Sequence, residues 1–542
     1  MTKYNSLLLI STSDTVNYQE FSKLSLDRFE LYENITNFRM IHFDGGFRSP
    51  LDILNKCIFD SYYSEADECN KKDLYSIWNL TTANGLLAVN QLIESGVDCS
   101  VVPNFDSYWD YIKNYINEHD CPVVGISTTF ILNWSEIGRI IKKIRSFSEK
   151  AKIVLGGSFI SSNFMINGVE FFTKAVKKYN IDCILTSPYS EQDLPSLFRA
   201  LNDDIHYDEV PNLIYVGSQG QVILTDIVHY EPIISYGVKA LERAIDIAYR
   251  RTLQIRTSVG CPYSCKFCSY SNMSDFVCED LAKIDEELCA ISMSGAIDTI
   301  VFIDDNLNCP PKRFDKLLDI LNKHKFRWYG FIRIQYIDDA IAERMRESGC
   351  DGVYLGLESG SNKILEAVNK QAKTEDYSVG MQALKKAGIK SFASFIVGLP
   401  GESEETVCET VEFLNKGLCD YYALKEYFYD HNSPITNEAD SYELTGVGNK
   451  WSHKTMNSID ASIIKKKMYY KVTNSMHVDS DYGMWYLVYL RINGYSWDTI
   501  TVIQKCLNEL INCDLAGDYS SERKEVIFNS LKNHLESNSE AL

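Results

Sequence analysis

Three cysteines lie within eight residues of this chain, in the run Gly260-Cys-Pro-Tyr-Ser-Cys-Lys-Phe-Cys. Cys261, Cys265 and Cys268 stand too close together for a structural disulfide, and three thiols cannot pair off among themselves. Closely spaced thiolates in a loop are the usual ligands of an iron–sulfur cluster, and three ligands leave one iron of a cubane open to a small molecule. A zinc site or three buried cysteines are the alternatives, but zinc normally takes four ligands. The spacing therefore predicts a 4Fe–4S cluster.

The cysteine run follows one short strand pattern and precedes five more. These patterns, rich in β-branched or aromatic residues, are at 252–257, 299–302, 327–334, 352–357, 391–397 and 421–427, with helical patterns between them. Strand–helix alternation predicts a parallel sheet covered by helices, and such sheets bind ligands at the carboxyl ends of their strands. We therefore expect the cysteine loop at that edge of the sheet.

The C-x3-C-x2-C spacing, with Phe267 directly before the last cysteine, resembles the signature of the radical S-adenosylmethionine (SAM) enzymes. The six expected strands resemble the partial (β/α)6 barrel of that family, so the resemblance covers residues 250–430. It implies that the three cysteines hold the cluster and that the open iron binds the amino and carboxylate groups of SAM. It also implies reductive cleavage of SAM to a 5′-deoxyadenosyl radical.

Polar and glycine residues follow the expected strands of this region, and they resemble the SAM-binding motifs of the family. The resemblance assigns Phe267, Glu358, Ser359 and Gly398 to SAM binding. Helix caps and tight turns are the alternative, since Ser and Gly often follow a strand for those reasons. Arg333, near the end of the third strand, could contact a carboxylate of SAM or of the substrate, or pair with Asp338.

The first 220 or so residues form a second alternating unit. Strands are expected at 6–11, 98–103, 122–127, 152–155 and 181–185. The order predicts a doubly wound, Rossmann-like α/β domain, whose ligands bind outside the carboxyl ends of the strands. The unit resembles the cobalamin-binding domain that precedes the barrel in one large radical SAM subclass, and the resemblance implies cobalamin contacts at Ser127, Thr128, Gly156 and Gly157. A generic Rossmann-like domain would show the same glycines.

Many cobalamin domains carry an Asp-x-His-x-x-Gly motif whose histidine coordinates cobalt. Between Ser13 and Gly85 the only histidine is His42, and no aspartate stands two residues before it. We therefore predict that no histidine of this domain binds cobalt. Residues 34–78 are an insertion that is expected to close over the cofactor face.

The tail of the chain belongs to neither unit, and four helical patterns predict a mostly helical domain. The resemblance to the radical SAM family implies that this domain covers the open side of the barrel. The expected domains are 1–225 (cobalamin-binding-like), 226–249 (linker), 250–430 (radical SAM barrel) and 431–542 (C-terminal helical domain). His453 is a candidate for the substrate site, and Arg333 and His453 are the two candidate catalytic residues.

Composition limits the partners and the compartment. The formal charge of −20 argues against a general nucleic-acid binder, because phosphate backbones attract basic surfaces. No apolar run approaches the ~18 residues of a membrane helix, the N-terminus lacks a signal-peptide pattern, and 16 cysteines in 542 residues are too dilute for a disulfide scaffold. We expect a cytoplasmic protein that binds neither membrane nor nucleic acid.

The resemblance implies a cobalamin-dependent radical SAM enzyme, and methyl transfer is the commonest activity of that class. One SAM would supply the methyl group through cobalamin, and another would supply the radical. The expected substrate is an unactivated carbon or phosphorus centre of a natural-product intermediate or peptide, with an external one-electron reductant of the flavodoxin or ferredoxin kind. A non-methylating rearrangement, epimerisation or coupling is the alternative, and a binding protein without turnover is a more distant one.

Overall fold

The computed structural model describes residues 4–14, 40–67, 70, 80–120, 122–245, 251–270, 275–478 and 483–537. The chain folds into two compact units. The first contains the described residues within 1–17, 65–254 and 286–297, and the second contains those within 18–64, 255–285 and 298–542. In the described part of the chain, no helix is long and apolar enough to cross a membrane.

The first unit is built on one seven-stranded sheet. In spatial order its strands are Asp98–Val102, Ser6–Ile10, Val123–Ser127, Lys152–Gly156, Cys183–Leu185, Leu213–Val216 and Val222–Leu224. The first five are parallel and the last two are antiparallel. The strand order reverses at Ser6–Ile10, and ligands of doubly wound sheets bind at such a switch point. The expected α/β class and the five parallel strands are confirmed, whereas the antiparallel pair was not foreseen.

Buried apolar side chains lie on both faces of this sheet, where helices pack against it. In Trp134–Phe147, the buried residues Ile137, Ile140, Ile141 and Ile144 recur at helical spacing, and the Asn133 side chain caps the first turn. The helices of this unit are Ala83–Ile93, Trp109–Glu118, Trp134–Phe147, Ser158–Asn167, Glu170–Tyr179 and Leu194–Leu201.

A separate seven-stranded sheet forms the barrel. In spatial order its strands are Thr252–Ile255, Thr299–Phe302, Arg327–Ile332, Cys350–Glu358, Lys390–Val397, Tyr421–Glu426 and Met476–His477. The pairs from Thr299–Phe302 onward are parallel. All six expected barrel strands are present, so the barrel prediction is confirmed. The short seventh strand, from the C-terminal tail, was not predicted because two residues carry no periodic pattern.

The helices after the first barrel strand alternate with these strands. They are Leu281–Ser294, Pro311–His324, Asp339–Glu347, Asn362–Ala367, Thr374–Lys386 and Glu404–Asn415. The tail adds Ala439–Tyr442, Ser458–Lys471, Gly483–Ile492, Trp497–Leu515 and Ser521–Glu536, and it also adds an antiparallel sheet of Thr445–Val447, Lys450–His453 and Met456–Asn457. The mostly helical C-terminus is confirmed, and the small sheet is an addition to it.

Part of the N-terminal insertion folds with the tail. The hairpin Ile41–Phe43 and Gly46–Arg48 precedes helix Pro50–Phe59. The His42 N–H donates to Asp514 (2.7 Å), and Lys524 donates to the His42 carbonyl (2.6 Å). Of the expected insertion at 34–78, residues 34–39, 68, 69 and 71–78 lie outside the described residues.

The expected domain boundaries stay predictions. Residues 226–245, the described part of the expected linker, group with the first unit, and the tail groups with the barrel. Residues 246–249 lie outside the described part of the chain.

Candidate functional site

The cysteine loop begins at the carboxyl end of the first barrel strand. Asp304, at the end of the next strand, is buried and accepts hydrogen bonds from the Thr257 N–H (3.1 Å) and hydroxyl (2.7 Å) and from the Ser258 hydroxyl (2.6 Å). Gly260 then takes φ +77°, a left-handed conformation that favours glycine. The hydrogen bonds to Asp304 therefore fix the position at which the cysteine loop leaves the first barrel strand.

The three thiols of the loop interact with one another. Cys265 is buried, and Cys261 and Cys268 are half-buried. The Cys268 N–H donates to the Cys265 carbonyl (3.0 Å). Burial, together with repulsion from the Cys265 and Cys261 thiolates, raises the pKa of Cys268 to about 11. Neighbouring thiolates repel one another, and a bound metal removes this repulsion because its positive charge stabilises the deprotonated form of each thiol ligand.

Among the described residues, no three His, Cys, Asp or Glu side chains converge on a single metal ion. A cubane cluster does not require such convergence, because each thiolate binds a different iron. The donor set, three thiols at one sheet edge, therefore fits a 4Fe–4S cluster.

Hydrogen bonds to backbone atoms hold this loop to two neighbouring segments. The Lys266 N–H donates to the Val368 carbonyl (2.9 Å), and the Ile435 N–H donates to the Lys266 carbonyl (2.9 Å). The Asn369 amide donates to the Ser264 carbonyl (3.0 Å). The loop is thus tied both to the segment after the fourth barrel strand and to the segment after the sixth.

Glu358, an expected SAM contact, ends the fourth barrel strand and is ion-paired. Its Oε1 lies 2.9 Å from Nζ of Lys370, and both side chains are buried. Glu358 takes φ +67°, which is uncommon for a residue with a side chain. The Lys370 Nζ lies 5.9 Å from the centroid of the half-buried Phe267 ring, another expected SAM contact. The structure thus brings the carboxylate beside the cysteine loop, together with a cation that the sequence did not indicate.

Ser359 and Gly398 are brought to the same edge, but their surroundings are crowded. The buried Ser359 hydroxyl lies 3.3 Å from that of Thr410 and accepts from the Ser361 N–H (3.1 Å). A Cβ on Gly398 would lie 2.4 Å from the Trp451 ring. Both residues therefore have local roles in a turn and in packing, which is the alternative to SAM binding given above for them.

Arg333 lies directly after the third barrel strand. Its guanidinium stacks 3.7 Å from the centroid of the Tyr263 ring, inside the cysteine loop, and donates to the Lys370 carbonyl. Asp338, considered above as its partner, instead caps the helix Asp339–Glu347. Asn308 fixes the Arg333 backbone through bonds to its N–H (2.9 Å) and carbonyl (2.8 Å).

Polar atoms at this edge are buried without hydrogen-bond partners in the described part of the chain. They are both amide atoms of Asn306, the Nε of Arg333, and the hydroxyls of Ser361 and Tyr427. These residues follow the second, third, fourth and sixth barrel strands. An unsatisfied buried polar group costs ~1–3 kcal/mol, so a bound polar molecule is the natural partner. The amino, carboxylate and ribose groups of SAM offer donors and acceptors that complement these atoms. The polar residues of this edge therefore fit a bound SAM molecule.

In the first unit, the carboxyl ends of two adjacent strands carry the expected cobalamin contacts. Ser127, Gly156 and Gly157 are half-buried, but Thr128 is buried and its hydroxyl donates to the Gly156 carbonyl (2.9 Å). A Cβ on Gly157 would lie 2.9 Å from the Thr128 nitrogen, so this glycine lets the two strand ends touch. Small, partly exposed residues at these two strand ends leave room for a large flat ligand to lie against the backbone.

The two histidines singled out in the sequence are both engaged by the protein. His42 belongs to the second unit, and its ring packs edge-on against Phe47 and Tyr519. His453 is buried, with Nε2 3.0 Å from the Gly398 carbonyl and Nδ1 3.2 Å from the Thr455 hydroxyl. Neither ring nitrogen of His453 is left to contact a substrate.

Sequence reasoning missed Lys370, Trp451 and Tyr427 as residues of this edge. No sequence pattern marks Lys370 as a site residue, because a short helix separates it from the strand that ends at Glu358. Trp451 alternates with exposed neighbours in Lys450–His453, a strand-like pattern that could have been noticed.

Residues 255–414 match the Radical SAM superfamily. An uncharacterized methyltransferase of Pyrococcus horikoshii is 26% identical over 62% of this chain and 74% of its own length. An anaerobic magnesium-protoporphyrin IX monomethyl ester cyclase of Rubrivivax gelatinosus is 28% identical over 37% of this chain and 38% of its own length.

Two solved structures share the fold. The radical SAM methyltransferase TsrM of Kitasatospora setae, with cobalamin and a [4Fe-4S] cluster bound, has a TM-score of 0.52 and 17% identity, covering 81% of this chain and 78% of its own. The cobalamin-dependent SAM radical enzyme OxsB has a TM-score of 0.55 and 14% identity, and the match covers 99% of this chain and 80% of the OxsB chain. The match, the cysteine loop and the barrel sheet together show that residues 255–414 of this chain form a radical SAM domain.

Proposed function

We propose that this protein is a cobalamin-dependent radical SAM methyltransferase. The observation that carries the proposal is the pairing of two units within one chain. The cysteine loop lies at the carboxyl edge of a barrel sheet, and a doubly wound unit offers a small-residue edge for a flat cofactor. When bound, the cluster with SAM supplies a 5′-deoxyadenosyl radical, and cobalamin supplies the methyl group.

The residues of the barrel edge have separate tasks in this proposal. Cys261, Cys265 and Cys268 hold the cluster. The buried Glu358–Lys370 pair presents a carboxylate of fixed orientation to the ribose or ammonium of SAM, and the unpartnered Asn306 amide donates to and accepts from a polar ligand. Burial of this edge excludes water, which strengthens each of these hydrogen bonds.

The substrate we propose is a small molecule or peptide with an unactivated carbon or phosphorus centre. The TsrM relative has been solved with a tryptophan substrate, which supports a small molecule. The cyclase relative supports the alternative of a non-methylating reaction.

Product analysis separates the two reactions. We expect reduced, cluster-reconstituted enzyme with cobalamin, methyl-labelled SAM and its substrate to form S-adenosylhomocysteine and 5′-deoxyadenosine in roughly equal amounts, because each turnover uses one SAM for each task. Mass spectrometry quantifies both products and locates the label. A yield of 5′-deoxyadenosine without S-adenosylhomocysteine, alongside an unlabelled product, would favour rearrangement, epimerisation or coupling.

Cobalamin bound to this protein is expected to lack a histidine ligand. We expect His42→Ala to leave the absorption spectrum of the bound cobalamin unchanged. The hydrogen bonds of His42 to Asp514 and Lys524 use its backbone, so alanine preserves them. A loss of a nitrogen-ligated spectrum in the variant, relative to wild type, would show that His42 binds cobalt.

A further inference from the structure

The loop after the fifth barrel strand is enclosed by the small C-terminal sheet. Gly398 directly follows Lys390–Val397 and takes φ +95°. A Cβ at this position would lie 2.4 Å and 2.6 Å from the Cη2 and Cζ2 atoms of Trp451. Glycine is thus required both by its backbone conformation and by the indole that covers it.

Hydrogen bonds hold both polar atoms of Gly398. Its N–H donates to Oε2 of Glu402 (2.6 Å), and its carbonyl accepts from Nε2 of His453 (3.0 Å). A carbonyl can only accept, so Nε2 of His453 carries the ring proton, and Nδ1 is the acceptor for the Thr455 hydroxyl 3.2 Å away. Burial lowers the pKa of His453 and favours this neutral form.

Trp451 joins the ends of two barrel strands. Its indole N–H donates to the Tyr427 carbonyl (2.6 Å), and the Tyr427 N–H donates to the Val397 carbonyl (2.9 Å). The Trp451 and His453 rings stack with centroids 5.1 Å apart and planes 4° apart. The two side chains therefore act as one rigid surface against Gly398.

We propose that Trp451 and His453 are positioning residues that hold the Gly398 loop in its SAM-binding conformation. The inference rests on the proposed function and on the assignment of Gly398 to SAM binding that the family resemblance implies. Without the two side chains, Gly398 would be free to sample its wide range of backbone conformations, and SAM binding would have to restrict it again. In this proposal the C-terminal sheet contributes to SAM binding by holding the Gly398 loop in place.

The alternation of the strand Lys450–His453 supplies matched controls. Trp451 and His453 face inward, whereas Lys450 and Ser452 are exposed on the same strand. The test compares His453→Phe, His453→Gln and Trp451→Phe with Lys450→Ala and Ser452→Ala. Phenylalanine at 453 keeps the ring stack but removes the donor, and glutamine can return a donor to the Gly398 carbonyl.

The first measurement is hydrogen–deuterium exchange of the peptide 395–402 in cofactor-free protein. The second is the SAM dissociation constant of cluster-reconstituted protein. For His453→Phe and Trp451→Phe we expect about five- to tenfold faster exchange and about five- to tenfold weaker SAM binding, the factor of one lost buried hydrogen bond. The glutamine variant should recover part of both, and the two alanine controls should match wild type.

The outcomes separate this inference from the function on which it rests. Wild-type protein that binds no SAM would contradict the proposed function. If wild type binds SAM and both His453→Phe and Trp451→Phe bind it equally well, the positioning role is overturned, whatever their exchange rates. If Trp451→Phe does not fold, the comparison of His453→Phe with His453→Gln decides the result.

Discussion

Replacing Cys261, Cys265 and Cys268 together by alanine is expected to reduce the iron content of anaerobically reconstituted protein to background. Formation of 5′-deoxyadenosine from SAM should fall to background as well, because in the proposed function the cluster held by these cysteines would supply the electron for SAM cleavage. The physical reason is the donor set, since three mutually interacting thiols at the sheet edge are the only cluster ligands that we propose. Iron and sulfide analysis, with the absorption spectrum, provides the measurement.

Cys309 gives a demanding control for this experiment. It is buried, and the charge of the Cys261 thiolate contributes to raising its pKa, so it is a cysteine near the loop that could substitute as a ligand. We expect Cys309→Ala to keep about four irons per chain, the content of one cubane. Full iron content in the triple variant would reject the assignment, and iron loss in Cys309→Ala would place a further ligand at that position.

Replacing Asp351 by alanine is expected to lower the free energy of unfolding by about 3–5 kcal/mol, the usual result of removing one partner from a buried ionic network. Asp351 is the second residue of the fourth barrel strand, and its side chain is 6% exposed. Its Oδ2 accepts from the Tyr329 hydroxyl (2.7 Å), Nε of Arg491 (3.0 Å) and the Trp497 indole (3.2 Å). The variant would leave the Arg491 guanidinium without its buried partner.

Asp319 is the matched control, because it also pairs with an arginine but is 75% exposed. Asp319→Ala should change stability by about 1 kcal/mol or less, as for other surface ion pairs. Denaturant unfolding of both variants and of wild type provides the measurement. Equal, small effects for the two variants would show that the Asp351 network adds little.

The Asp351 contribution should also depend on pH in a defined direction. Burial alone would raise its pKa, but the hydrogen bond from Tyr329 and the charge of Arg491 outweigh burial and lower it. The folded state thus favours the carboxylate, so the stabilisation is full above the unfolded pKa of about 4. This stabilisation is lost as the pH falls through the lower pKa that Asp351 has in the folded protein. Wild type should therefore lose its advantage over Asp351→Ala in strongly acidic solution.

Some site residues were predictable only in part, and the reason differs between them. The positions of Glu358, Ser359 and Gly398 at strand ends followed from local strand patterns, which the structure confirms. Their partners did not, because Lys370 lies beyond an intervening helix and Trp451 comes from the tail. A sequence pattern reports which residues share an element, whereas a contact across the sheet edge depends on the packing of distant elements.

The sequence by itself determined the chemistry-bearing motif and the fold class of this protein. The spacing of Cys261, Cys265 and Cys268 is local, and strand–helix alternation is a repeated local pattern, so both were readable from the residues. Only the tertiary structure decided that Glu358 is paired with Lys370, that His42 is held by Asp514 and Lys524, and that both nitrogens of His453 are engaged. The physical reason is that burial and hydrogen-bond pairing arise from residues far apart in the chain, and no local periodicity records which of them meet.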